Sequence, residues 1–394
     1  MGILSGIRVL DLSRVMSGPY CTALLGDLGA EVIKIETPGV GDDARRFGPY
    51  LGGSSVYFAL LNRNKKSVTL NLKAARARVI AADLAAKCDV VVENFRPGVA
   101  ARLEMDAARL RARNPRLVYL SISGFGQSGA HAAWPAYDLV IQAMSGLMSA
   151  TGFPGGPPTA VGESIADVAT GLFGSWAVLA ALLHRERTGE GQTIDLAMLD
   201  AMLSMQLTGL ARLAAEGVAP QRVGNRHPVT TPVDTFRASD GYVAIVVPSD
   251  AQFRELCEVM ESPALAQDER YTSNAARRAN ENALRQTIES WSSARAADEV
   301  VRACLARGIP AGRVLDLGQA RGMRSAGSND PITTVPHPVF GTLDLTLQPA
   351  RFSAQQEATA AREPSLGEHT SEVLRELLTL DAEEIKALRA QGVL

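Results

Sequence analysis

Asp167 is the only acidic residue between Glu163 and Glu186, and it opens the most apolar stretch of the chain. A carboxylate desolvated in such a place is a candidate nucleophile, with the dipole of a helix N-terminus favouring its anion and burial opposing it. Ser164-x-x-Asp167 ahead of an apolar run is equally a capping box, and on pattern alone the cap is the favoured reading. Gly124-Phe-Gly126-Gln-Ser-Gly129 follows the apolar run Leu117–Ile122, as a dinucleotide fingerprint should. The context argues against that reading: Pro135 interrupts the helix that should follow, and no acid stands about 20 residues on to hold a ribose. A glycine loop that turns or moves beside an active site is the alternative. Arg14, Arg45, Arg46, Lys65, Lys66, Arg96 and Arg102 fall at strand ends and loops, where they could meet an anion with several phosphates. For any one of them an ordinary solvated charge is the simpler account.

Other chemistries lack their residues. G-x-S-x-G does not occur, which leaves a hydrolase triad unsupported. The five histidines show no H-x-x-x-H spacing and the four cysteines no C-x-x-C, so neither a metal site nor a disulfide scaffold is signalled. Scattered cysteines fit a reducing cytoplasm, and Met-Gly-Ile-Leu-Ser-Gly-Ile-Arg does not read as a secretory signal. Forty Lys and Arg against 42 Asp and Glu provide no general field for nucleic acid or an anionic membrane. Ile165–Leu183 just reaches the length of a membrane span, but an ionised Asp167 would be costly in lipid, so a buried central helix is the favoured reading.

The elements that must position these residues alternate in an α/β manner. Ile7–Leu12, Glu31–Glu36, Asp89–Val92 and Leu117–Ile122 read as strands, separated by helices at Tyr20–Leu28 and Lys73–Lys87. That order predicts a largely parallel, doubly wound sheet with its ligand beyond the carboxyl ends of the strands. Helices over Asp138–Met148, Ser164–Arg187 and Met198–Glu216 follow, with a strand at Gln192–Leu196. A polar loop at 222–232 precedes a hairpin, Asp234–Val247, and helices near 250–260, 274–291 and 296–307. This predicts a smaller α+β domain over 223–330, including a polar linker at about 320–331. The 394 residues, 46% of them hydrophobic and 21% charged, are enough for two globular domains.

Taken together, several motifs resemble those of the family III CoA-transferases. They are Val9-Leu-Asp-Leu12 with Gly18-Pro19, Leu28–Glu36, Gly41-Asp42 with Arg45, Asn62–Ser67, Val91–Gly98, Ser123–Gly126, Thr188–Gln192, Gly224-Asn225 with His227-Pro228, Asp240-Gly241 and Leu366–Thr370. The resemblance implies a Rossmann-like large domain over 1–222, completed by 331–394, in an interlocked homodimer. It implies that Asp167 attacks an acyl-CoA thioester and becomes an aspartyl-CoA thioester, with coenzyme A as co-substrate and no resident cofactor. CoA contacts carry over to Arg14, Leu72, Asn94, Phe95, Arg102 and Tyr137, and the Gly124–Gly129 segment becomes a mobile loop near the thioester. The nearest branch is the succinyl-CoA–dicarboxylate one, and Arg45, Arg46 and Arg226 are the candidates for a distal carboxylate. Thr37 replaces an arginine that faces CoA in formyl-CoA transferase, and the glycine-rich run ahead of that enzyme's small domain is missing, which argues against oxalate as acceptor. The related α-methylacyl-CoA racemases place a histidine base where Tyr137 precedes Asp138. Tyrosine, with an ordinary pKa near 10, is a poor base at neutral pH. An epimerase and a non-catalytic CoA-binding protein are the alternatives to a transferase.

Overall fold

The computed structural model describes residues 2–325, 332–354 and 360–394. Two compact units emerge, one from 1–147, 160–211 and 331–394, the other from 148–159 and 212–330. The boundary thus falls at Ala211, ahead of the change to polar loop at 222, and a short stretch at 148–159 joins the second unit.

The first unit is built on six parallel strands: β1 (Arg8–Asp11), β2 (Glu31–Glu36), β3 (Lys65–Thr69), β4 (Val90–Glu93), β5 (Val118–Ser123) and β6 (Thr193–Ala197), in the order β3-β2-β1-β4-β5-β6. Strands β1, β4 and β5 are near-continuous apolar runs because both sheet faces are covered. One face packs Leu10, Ile33, Val91 and Tyr119 under helix α2 (Ala75–Ala86) and the C-terminal helices Thr370–Leu378 and Ala382–Ala390. The other packs Val9, Val32, Val92 and Leu120 under helices α1 (Ser17–Asp27) and α5 (Ile165–Thr188). Helices α3 (Val99–Arg102) and α4 (Asp138–Met144) lie between α2 and α5 in the chain.

Strand β3 has no counterpart among the expected strands. Its Lys65-Lys-Ser sequence reads as polar surface, yet Lys65 is 4% exposed, with Nζ 2.9 Å from Asp11 Oδ2. The expected continuous helix over 198–216 is two helices, Met198–Ser204 and Leu207–Glu216. The long helix α5 is not buried all round. Ala166, Ala169, Gly171, Gly174 and Val178 are buried, whereas Leu172, Trp176 and Leu183 are 47%, 67% and 55% exposed. By length and composition alone it passes the test for a membrane span.

The second unit holds an antiparallel sheet of β7 (Val233–Ala238), β8 (Gly241–Val246) and β9 (Ala311–Arg313), covered by helices over a core of Phe236, Val243, Phe253, Leu256 and Ile288. Within the expected linker a helix runs Leu317–Ser325, and 326–331 lies outside the described residues. In the first unit the C-terminal part adds a hairpin of β10 (Ile332–His337) and β11 (Gly341–Thr346).

Candidate active site

Helices α1 and α5 cross closely because glycines stand at the contact. A Cβ on Gly171 would lie 2.8 Å from Tyr20 Cδ1 and 2.9 Å from the Ser17 carbonyl oxygen, and one on Gly174 would lie 3.2 Å from Cys21 Sγ. The close approach brings the first turn of α5 against the first turn of α1. There the hydroxyl and backbone N–H of Ser17 lie beside the Asp167 carboxylate and favour its charged form. Ser164 makes no side-chain cap, so the Ser164-x-x-Asp167 pattern does not act as a capping box. The capping carboxylate comes from elsewhere: Asp138 Oδ1 accepts the Ala166 N–H at 2.8 Å, and Gln142 Nε2 donates to its Oδ2 at 2.7 Å.

Burial and then the nearby Asp138 charge push Asp167 up to about 6, against the two Ser17 groups. The carboxylate is therefore ionised at neutral pH and more basic than an ordinary aspartate. Tyr57 shares this field: burial, followed by Asp167 and three further carboxylates, raises its phenol to about 12.

Asp167 lines a cavity of about 400 Å³ together with Arg14, Ser17, Asn94, Phe95, Ser123, Gly124, Trp134 and Tyr137. The cavity lies at the carboxyl ends of β4 and β5, where an open parallel sheet takes its ligands. Gly124 leaves room for the wall opposite, since a Cβ there would lie 2.3 Å from Ala136 Cβ. Gly126 sits at φ 87°, and the next N–H, from Gln127, donates to Asp195 Oδ2 at 2.9 Å. No helix begins before Asp138, so the glycine segment is a loop and not a dinucleotide turn.

A second cavity of about 270 Å³ is lined by Thr37, Leu72, Lys73 and Leu103, and it shares Arg14, Phe95 and Val99 with the first. Arg14 is held by its backbone: Asn94 Oδ1 accepts its N–H at 2.8 Å and Asn94 Nδ2 donates to its carbonyl at 2.7 Å. Its exposed guanidinium lies 3.4 Å from Asp43. Phe95 is fixed by its N–H, which donates to Glu93 Oε2 at 2.7 Å; burial lifts that Glu93 carboxyl to about 7. Arg102 lines neither cavity and stands exposed at the end of α3, beside Leu103.

The three arginines considered for a distal carboxylate differ in their surroundings. Arg45 binds Glu36 with Nε and Nη2, both at 2.7 Å, and stacks over Phe58. Arg226, in the second unit, contacts Glu281 at 3.3 Å and Asn282 at 2.8 Å. Arg46 is exposed and pairs with Asp43, which lines the Asp167 cavity.

Beneath the cavity runs a chain of buried charges. Lys65 bonds Asp11, Ser13 N–H donates to Asp11 Oδ1 at 2.9 Å, Lys34 Nζ donates to the Ser13 carbonyl at 2.8 Å, and Lys34 pairs with Asp42 at 2.8 Å. Burial pulls Lys65 down to about 8 despite Asp11. Burial also works against the Lys34 ammonium, but Asp42, Asp11 and Glu36 together raise its pKa. Lys65 thus serves the scaffold and not a ligand. Ser123 stood in the sequence within the Ser123–Gly126 motif at a strand end, but Ser17, Tyr57 and Asp138 were not singled out as members of the site. Of these three, only Asp138 carried a signal, as the acid that begins a helix.

Comparison with known proteins gives the family. The CoA-transferase family III profile matches residues 4–370. An acetyl-CoA:oxalate CoA-transferase of Acetobacter aceti is 46% identical over 81% of this chain and 82% of its own. A succinate–glutarate CoA-transferase of Agrobacterium fabrum is 37% identical over 96% of both chains. Among solved structures, a CAIB/BAIF family protein from Brucella suis superposes with a TM-score of 0.83 at 36% identity, covering 96% of this chain and all of the other. The chain belongs to CoA-transferase family III, and it is an enzyme of that class.

Proposed function

We propose that the protein moves CoA from an acyl-CoA donor, succinyl-CoA in the first instance, to a dicarboxylic acid through an aspartyl-CoA thioester on Asp167. The observation that carries the reading is the Asp167–Ser17 contact inside the cavity at the strand ends. One Asp167 oxygen attacks the thioester carbonyl, and the C–S bond breaks to give a mixed anhydride and CoA thiolate. The thiolate then attacks the aspartyl carbonyl and releases the donor acid. The acceptor carboxylate attacks the aspartyl thioester, forming a second anhydride, and returning thiolate frees Asp167 and the new acyl-CoA. Each step exchanges one acyl bond for another, so the demands are a placed carboxylate, dipoles facing the oxyanion and exclusion of water.

In this reading the second cavity takes part of CoA, with Leu72 and Phe95 as apolar walls, Arg14 and Arg102 as phosphate partners, and Asn94 holding the Arg14 backbone. Tyr137, Gly124 and Gly126 border the thioester. Arg46 is the preferred cation for a distal carboxylate, because it is exposed and its partner Asp43 lines the Asp167 cavity, whereas Arg45 is held by two bonds to the buried Glu36. A second copy of the chain covers the outward face of α5, where Leu172, Phe173, Trp176 and Met205 line an apolar groove; the interlocked dimer is proposed on that support. The four buried free cysteines suit the cytoplasm.

The test is a panel of acyl-CoA donors against carboxylic acids, read by mass spectrometry, with Asp167→Ala as control. Transfer to glutarate, malate, itaconate or mesaconate is expected, and near-normal turnover by Asp167→Ala overturns the mechanism. Oxalate is the second reading for the acceptor, favoured by the 46% identical relative. Transfer confined to oxalate or monocarboxylates defeats the longer dicarboxylates.

A further inference from the structure

Ser123 ends strand β5 and is 7% exposed. Its Oγ is buried and has no hydrogen-bond partner. The same residue lines the cavity that holds Asp167. Nearby hydroxyls differ from it: Ser13 Oγ donates to Asp11, and neither the Ser17 nor the Ser121 hydroxyl is left buried without a partner. A buried hydroxyl left unpaired carries a desolvation penalty that alanine would avoid. Its position on a reaction cavity points to a partner that arrives with the substrate.

We infer that Ser123 is a substrate-binding residue whose Oγ–H donates to the acyl oxygen of the thioester undergoing attack by Asp167. This rests on the transferase reading above. As the Asp167 oxygen forms its bond to the acyl carbon, the carbonyl electron pair moves to the acyl oxygen. The Ser123 hydrogen bond strengthens on that developing charge, no proton is transferred, and the C–S bond then breaks to release thiolate. The backbone that carries the donor is fixed by pairing of the strand end with Ala197, and a turn about χ1 brings the buried Oγ to the acyl oxygen.

The decisive variant is Ser123→Ala, compared with wild type in three measurements. Thermal melting should be unchanged or raised, free CoA should bind within about twofold, and kcat for transfer should fall about 10²-fold, the effect of losing one oxyanion donor. Trapping with hydroxylamine in a single turnover should show slower acylation of Asp167. Two outcomes overturn the assignment. A lowered melting temperature with near-normal kcat makes the hydroxyl structural. An unchanged kcat with weakened CoA binding directs it to an amide of the CoA arm. If wild-type protein transfers CoA to no acid in the panel, the transferase reading itself fails; an active wild type with a fully active Ser123→Ala defeats only this assignment.

Discussion

The backbone N–H of Val15 donates to Asp42 Oδ1 at 3.0 Å, holding a β-branched residue at φ 68° in the wall of the Asp167 cavity. Left-handed backbone costs a residue of this type on the order of 1–3 kcal/mol. The opposing support is the Asp42–Lys34 ion pair below it, whose members are both fully buried. The loop from Ser13 to Ser17 therefore takes its shape from charges beneath it.

Asp42→Asn tests that dependence. The amide oxygen still accepts from Val15, but Lys34 loses its ion partner in a buried site. Stability to urea should fall by about 3–5 kcal/mol. Equilibrium unfolding checks this, and a loss below about 1 kcal/mol would show that the pair contributes little.

The pH dependence of transfer follows from Asp167. Its carboxyl is raised to about 6, so under the proposed mechanism activity should hold above that pH and drop about tenfold per unit below it, as the carboxylate protonates. Asp138→Asn removes the repelling charge and should move this acid limb to lower pH. Rate profiles of the two proteins between pH 4 and about 8 provide the comparison.

Stability runs the opposite way to activity. A carboxylate raised from its ordinary 3.8 to about 6 holds its proton more tightly in the folded protein than in the unfolded chain. Its contribution to stability therefore declines as pH rises through that interval and is least favourable above it. Asp167→Asn should be more stable than wild type at neutral pH, by about 1–3 kcal/mol, while transferring no CoA. Melting curves at two pH values on either side of 5 measure both signs.

Gly171→Ala should harm both fold and turnover. The added methyl meets Tyr20 and the Ser17 carbonyl, so α5 must move away from α1. Overpacking of this kind costs about 1–3 kcal/mol. The shift also withdraws the Ser17 N–H from Asp167, so kcat should fall more than CoA affinity. Calorimetry with steady-state kinetics separates the two effects.

Arg14→Ala should weaken CoA binding about tenfold, or ~1.4 kcal/mol, with a smaller effect on the acid acceptor. Asn94→Ala should do the same indirectly by freeing the Arg14 backbone. Isothermal titration with CoA checks both.

Much of the parallel sheet was legible in the sequence, because strands covered on both faces are written as runs such as Val90-Val91-Val92. Asp167 stands out in the sequence as a lone acid in an apolar segment, although its spacing from Ser164 suggested a cap that the fold does not form. What pattern could not supply were pairings distant in sequence. Lys65 reads as surface until Asp11 is brought beside it, and β3 was missed for that reason. Ser17 and Asp138 flank Asp167 only because α1, α4 and α5 meet. Arg45 and Arg226 read as free cations until Glu36 and Glu281 are seen against them.

The last stretch of the chain is tied along β3: His369 N–H donates to the Ser67 carbonyl at 2.9 Å, Thr69 N–H to Thr370 Oγ1 at 3.0 Å, and Asn71 N–H to the Val393 carbonyl at 2.9 Å. Residues some 300 positions apart must therefore meet before the edge of the catalytic sheet is closed. Such non-local closure slows folding, because the loop entropy is lost before the contact forms. During synthesis, the sheet that carries the site stays open at β3 until residues 369–393 leave the ribosome, and an exposed parallel edge is where neighbouring nascent chains can pair. Cover for that edge thus depends on the C-terminal helices.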